Sequence, residues 1–356
     1  MKNQVRLTII LLLAVVCFQQ IAAQESKPWF NDGAWHFPKP NPKARVLPLI
    51  MVKGNKFIDS KGDTILFRGL AISDPDKIER QGHWSKKHFE KVKEMGALIV
   101  RIPIHPVAWR ERTPEKYLEL LDQAVEWCTD LGMYVMIDWH SIGNLGMELF
   151  QNPMYNTTKQ ETYEFWRTIA QHFKGNNTLA FYELFNEPTT YRGQLGTITW
   201  PEWKKINEDI ISLIRSYDTG PIPLVAGFDW AYDLTPLREN PINAEGIAYV
   251  THPYENKRSQ PWEPKWEEDF GFAADKYPVV ATEFGFGLQP GQTIDDNHYS
   301  NRIIKYLEGR GISWMCWVFD PEWGPRMLKS WDTYDLTESG EFFKKAMHKE
   351  LKFQKK

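Results

Sequence analysis

The 356 residues carry 43 basic against 46 acidic side chains, a net charge of −3 with no basic run, which argues against a nucleic-acid partner. At 42% hydrophobic the chain can build one large core, and single α/β barrels commonly reach this length. Sixteen Trp and fourteen Tyr exceed what such a core needs, so some rings should line a surface that binds something flat and wet, and sugars fit.

Residues 1–23 read as a signal peptide. Lys2 and Arg6 make a positive start, residues 7–18 a short apolar core, and Ala22-Ala23 a small-residue exit. The core is too short to span a bilayer comfortably. Cys17 follows Val16, which lacks the small side chain that lipid-anchor processing wants. The chain is therefore expected to be secreted or periplasmic, without stable membrane insertion, and its removal of Lys2 and Arg6 makes the net charge −5. Cys128 and Cys316 remain, on a predicted helix and a predicted strand. That compartment permits a disulfide, but the two read as buried free thiols.

Residues 24–48 are rich in Pro and Trp, lack periodicity and are expected to wrap the surface. Residues 51–63 carry two apolar stretches around Gly54-Asn55, a hairpin signal. Strands and helices then alternate. Strand signals cover 65–72, 97–102, 134–138, 180–188, 223–226, 247–252, 279–284 and 313–318; Pro223 makes the fifth the weakest. Helix signals cover 85–95, 114–131, about 160–173, about 202–216, 265–274, 298–308 and about 339–348. Eight strands with intervening helices predict a single (β/α)8 barrel over 49–356, its bottom closed by the early hairpin. A monomer is expected.

In such a barrel the reactive residues sit where strands end. The ends here offer Arg101, His140, Asn186 with Glu187, His252 with Tyr254, Glu283 and Trp317. A lone Asn-Glu-Pro is commonly a loop, but six strand ends of eight contributing polar or aromatic groups is not what core packing alone produces. Glu187 and Glu283, 96 residues apart, make a pair of strand-top carboxylates. In glycoside cleavage one carboxylate attacks while another protonates the leaving oxygen.

These residues resemble glycoside hydrolase family 5, the cellulase-like retaining glycosidases. The resemblance rests on VRIP at 100–103, DWH at 138–140, LFNEP at 184–188, HPY at 252–254, TEFG at 282–285 and Trp317. It implies that Glu187 is the acid/base, that Glu283 is the nucleophile, and that Arg101, His140, Asn186, His252, Tyr254 and Trp317 surround the cleaved sugar. The physical roles agree: Arg101 should lower the pKa of Glu283, the Tyr254 hydroxyl can donate to it, and Asn186 can bond the sugar 2-hydroxyl. The implied substrate is a β-linked polysaccharide or oligosaccharide, with internal β-1,4 bonds of a glucan first. Mannan, xyloglucan, mixed-linkage glucan and transglycosylation stand as alternatives with the same mechanism. A carbohydrate-binding protein on a dead barrel is the alternative outside enzymes, and the intact acid pair counts against it.

Other residues are read as support. Glu183 should point into the barrel and pair with Arg68. His36, His83 and His88 lie far from strand ends and read as surface residues. No tight ligand spacing points to a metal, and no cofactor is implied. Trp109, Trp139, Trp200, Trp230, Trp262 and Trp323 lie at strand-to-helix connections, where two or three of the six should stack on substrate.

Overall fold

The computed structural model describes residues 46–288 and 292–349. The expected signal peptide over 1–23 and the expected surface segment up to residue 45 lie outside them. The barrel strands are β1 (Arg68–Ile72), β2 (Ile99–Ile104), β3 (Tyr134–Trp139), β4 (Leu179–Glu183), β5 (Ile222–Ala226), β6 (Ala248–Thr251), β7 (Val279–Ala281) and β8 (Ser313–Phe319). Each pairs in parallel with its neighbours in chain order, and β8 closes onto β1. The fold is the expected (β/α)8 barrel.

Helices α1 (Lys86–Glu94), α2 (Pro114–Leu131), α3 (Lys159–His172), α4 (Trp200–Tyr217), α5 (Trp262–Asp269), α6 (Tyr299–Gly309) and α7 (Glu338–His348) lie between and after the strands. α2 shows why its sequence is helical. Pro114 opens it, Tyr117, Leu121, Ala124, Val125 and Cys128 fall on one buried face, and left-handed Gly132 at φ 67° ends it. Between β5 and β6 only short turns occur, Phe228–Ala231 and Thr235–Arg238, where no helix was predicted. Pro223 sits in β5 without breaking it. Pro223 lies near the start of the strand, where pairing runs to β4 alone, since pairing to β6 begins at Leu224.

The early hairpin forms as read, with Met51–Lys53 antiparallel to Lys56–Ile58. Thr64–Ile65 joins it as a third strand, whereas the sequence placed Ile65 in the first barrel strand. Phe57 of this sheet stands edge-on to Phe181 of β4 at 4.9 Å and to Phe67 at 5.9 Å, filling the barrel bottom. Leu47, assigned to the surface segment, is buried in the same cluster.

Two side-chain expectations are overturned. Arg68 does not meet Glu183. Phe67, Gly69 and Ala71 take the inward parity of β1, so Arg68 points out to the helices and donates to Glu308 at 2.8 Å. His88 is buried rather than superficial, because it lies on the inner face of α1 among Phe319, Trp331 and Tyr334. Burial pushes its pKa down to about 3. His83 is half-buried and stacks on Trp331, and His36 lies outside the described residues. Cys128 and Cys316 are buried free thiols, as expected. Among the described residues no helix is long and apolar enough to cross a membrane.

Candidate active site

Arg101 is the hub of the strand tops. It shares inward parity with Ile99 and is fully buried. Its Nε donates to Glu183 at 2.6 Å, Nη1 to Glu283 at 2.9 Å and Nη2 to Asn186 at 2.6 Å, with Asp138 3.0 Å from Nη2. Burial opposes its charge, yet Asp138, Glu183 and Glu283 outweigh that and hold the guanidinium protonated. The sequence reading found only the Glu283 partner. Its two further acids, Asp138 and Glu183, lie side by side in register on β3 and β4. Inward parity on both strands was the signal for them.

Glu183 is thus part of the site, not a remote structural charge. The strand ends there, four residues short of Glu187, where the sequence suggested one run to Pro188. Residues 184–186 bend away, and Glu187-Pro188 pairs instead with Ile142–Asn144 in a small sheet above the barrel, completed by Leu149–Phe150. The bend brings both glutamates to one imidazole: His252 Nδ1 lies 3.0 Å from Glu187 and Nε2 3.4 Å from Glu183. Burial favours a neutral His252, but Glu283, Glu183 and Glu187 raise its pKa to about 9. For Glu183 burial favours the acid form, and Arg101 with His252 reverses this, holding it at about 2.

Glu283 accepts from Arg101 and from the Tyr254 hydroxyl at 2.8 Å. Arg101 was expected to pull this carboxyl below its ordinary value. Burial wins, and the pKa of Glu283 is raised despite His252, Arg101 and Tyr254. His140 approaches Asp138 at 2.6 Å, and burial drives both toward their neutral forms. Its ring lies parallel to Trp317 at 5.3 Å. Asn186 is buried with its Nδ2 unpartnered among the described residues. All eight sequence-predicted site residues therefore meet at one end of the barrel.

A cavity of about 590 Å³ opens beside Glu187, lined by Arg192, Asp229, Trp230, Tyr254 and Lys257 among others. Of the six loop tryptophans, Trp109, Trp139, Trp200 and Trp262 are buried packing, while Trp230 and Trp323 are half-exposed. Asp229, Trp230 and Ala231 are all left-handed, at φ 57°, 56° and 59°. Each such residue costs roughly 1–2 kcal/mol. Lys257 donates to the Asp229 carbonyl at 2.6 Å and lies over the Trp230 ring, whose Nε1 donates to Gln151. Sequence parity carries no trace of this turn.

Glu187, His252 and Glu283 each offer a ligand atom within 4.8 Å of the others, a cluster that linear spacing hid. Between Glu187 and Glu183, His252 is held as a cation. Its charge has a measurable consequence. With a folded pKa of about 9 against an ordinary 6.5, its contribution of about 3 kcal/mol is present below pH 6.5 and lost as pH rises through 9. Melting temperatures should fall by a step across that window in the native chain and not in His252→Gln. Parallel profiles would refute the charged imidazole.

Glycosidic bonds are cleaved between two carboxyl groups, and the strand tops bring Glu187 and Glu283 together. The class that this fold and site define is that of the glycoside hydrolases. Residues 58–322 match the family model Cellulase (glycosyl hydrolase family 5), and the chain belongs to that family. A β-glucanase of Saccharophagus degradans, whose crystal structure holds cellotetraose, is 45% identical, with a TM-score of 0.84 over 90% of this chain and 98% of that one. An endoglucanase of Clostridium saccharobutylicum is 26% identical over 84% of this chain and 64% of its own length. Endoglucanase E-5 of Thermobifida fusca is 26% identical over 60% of this chain and 43% of its own. The chain thus spans between about two-fifths and just under two-thirds of these two curated relatives.

Proposed function

We propose that this chain is a secreted or periplasmic retaining β-glycanase that cleaves internal β-1,4 linkages of a glucan. The observation that carries the reading is the asymmetric acid pair. One carboxylate oxygen of Glu187 and one of Glu283 lie within 4.8 Å of each other, which places both acids against a single bond, as the retaining arrangement with its carboxyl groups about 5–5.5 Å apart requires. Glu283, fixed by Arg101 and Tyr254, is the nucleophile: its oxygen bonds to the anomeric carbon as the glycosidic bond breaks. Glu187, at the open cavity, gives its proton to the leaving oxygen. It then takes a proton from the water that displaces Glu283, so the configuration is retained. Asn186, its Oδ1 held by Arg101 beside Glu187, takes the role of bonding the sugar 2-hydroxyl, and Trp317 gives the ring an apolar face.

The β-glucan assignment is supported by the likeness to a β-glucanase with bound cellotetraose and to named endoglucanases. Residues 1–23 support export. The half-exposed Trp230 and Trp323 favour a long neutral chain, since each ring adds binding only while the polymer crosses it. A reducing-sugar assay on β-glucans and β-mannans, with product lengths resolved, tests this. Glucan should be preferred, and rates should climb steeply from cellobiose to cellohexaose. Equal rates on those two would mean a pocket-shaped exo-enzyme, and preference for mannan would replace the substrate.

A further inference from the structure

Beside the Asp138–His140 pair lies a second pair of the same construction. Asp74, just past β1, receives both the backbone N–H and Nδ1 of His105 on Oδ2, each at 2.9 Å. Its Oδ1 accepts from Asp76 N and from the Tyr117 hydroxyl. An oxygen that already accepts an amide is set to accept again, so the Nδ1 proton belongs to the His105 ring and points at Asp74. In the neutral ring that leaves Nε2 as a hydrogen-bond acceptor. Nε2 has no partner among the described residues, and it is not among their sealed, unpartnered polar atoms.

The ring itself is locked. It stands edge-on to His140 at 4.6 Å and to Trp323 at 5.4 Å, and stacks on Tyr155 at 5.7 Å. Locking a buried histidine with a dedicated carboxylate is more than packing requires, because a phenylalanine would fill the space without a buried polar cost. Position in the barrel tells which sugar the ring meets. Glu187 and the cavity walls Asp229, Trp230 and Lys257 follow β4, β5 and β6, so the leaving group departs on that side. His105 follows β2 and Trp323 follows β8, on the opposite side of Arg101 and Trp317.

We infer that His105 is a specificity-determining residue: held by Asp74, its Nε2 accepts a hydroxyl hydrogen of the pyranose next to the cleaved sugar, on the glycone side, over the face of Trp323. This deepens the glycanase reading and rests on it. The occupant is a neutral β-linked glycan whose second sugar presents a free hydroxyl there. One hydrogen bond between neutral groups, left unmade in a buried site, corresponds to about a tenfold change in rate.

The test compares an aryl β-glucoside, with one glycone sugar, against the matching aryl β-cellobioside, with two. His105→Phe keeps the ring stack and should fold; its melting temperature is measured alongside. The expected result is that the ratio of kcat/KM, cellobioside over glucoside, falls about tenfold and mainly through KM. His105→Gln, whose amide oxygen can accept, should restore part of that ratio. A ratio unchanged in His105→Phe, or a loss shared equally by both substrates, would overturn the assignment, since a merely structural ring would affect both. Cellotetraose binding, followed by tryptophan fluorescence, separates the two failures. A chain that binds but never cleaves would refute the glycanase reading, and there the His105→Phe affinity loss still decides the contact.

Discussion

Glu283→Ala should be inactive on every β-glucan and aryl β-glycoside, because the group that forms the covalent intermediate is gone. Glu187→Ala should behave differently. On polysaccharide it should lose about 10²–10⁴-fold, the contribution of general acid–base catalysis. With an aryl glycoside whose leaving group needs no proton, the intermediate should still form and then break down slowly. Azide should speed that second step, since it attacks without a base, and should yield the β-glycosyl azide. In the native reaction the β-anomer should appear first in an NMR time course. Early α-anomer would overturn the retaining mechanism, and azide rescue at 283 with none at 187 would exchange the two roles.

Arg101→Met should be the most damaging single change to the fold's upper half. It leaves Asp138, Glu183 and Glu283 facing one another without their common cation. Breaking a buried pair this way costs about 3–5 kcal/mol, a large part of the 5–15 kcal/mol typical of a folded domain. The sign of the pH dependence follows from Glu183, whose folded pKa of about 2 lies below the ordinary value near 4.3. Its stabilisation by Arg101 is present above about pH 4.3 and disappears as pH falls through 2. The stability gap between native chain and variant should therefore be widest near neutrality and narrow toward pH 2. A gap of constant size across that range would mean lost packing rather than uncompensated charge. Arg101→Lys should not restore activity, because one ammonium cannot span the four oxygen partners of the planar guanidinium.

The strand tops were legible because chemistry is written there in short motifs: His140, Glu187, His252 and Glu283 each follow an apolar run, and Arg101 interrupts one. α2 was readable to the residue, since its proline, its periodicity and Gly132 agree. What escaped depends on contacts made across the chain. Nothing near Arg68 says that its parity is outward; that follows from how β1 is set against β2. The burial of His88 depends on Trp331 and Tyr334, more than 240 residues later. The direction of the Glu283 shift escaped too, because a formal charge is visible in sequence and desolvation is not. The break after Glu183 was hidden because an apolar run does not reveal where a backbone leaves its ladder.

That break has a mechanical meaning. Glu283 rides just beyond β7 and is braced by the barrel through Arg101, while Glu187 rides on a separate small ribbon made by Ile142–Asn144, Leu149–Phe150 and its own segment. The gap between the two acids is therefore a joint between two bodies, not a spacing within one sheet. His252 is the tie rod across it, touching Glu187 with one nitrogen and the Glu183–Thr282 floor with the other. The position of Glu187 is thereby set by its pairing with Ile142 and Gly143, which follow β3 directly, and not by the register of the barrel strands that carry Arg101 and Glu283.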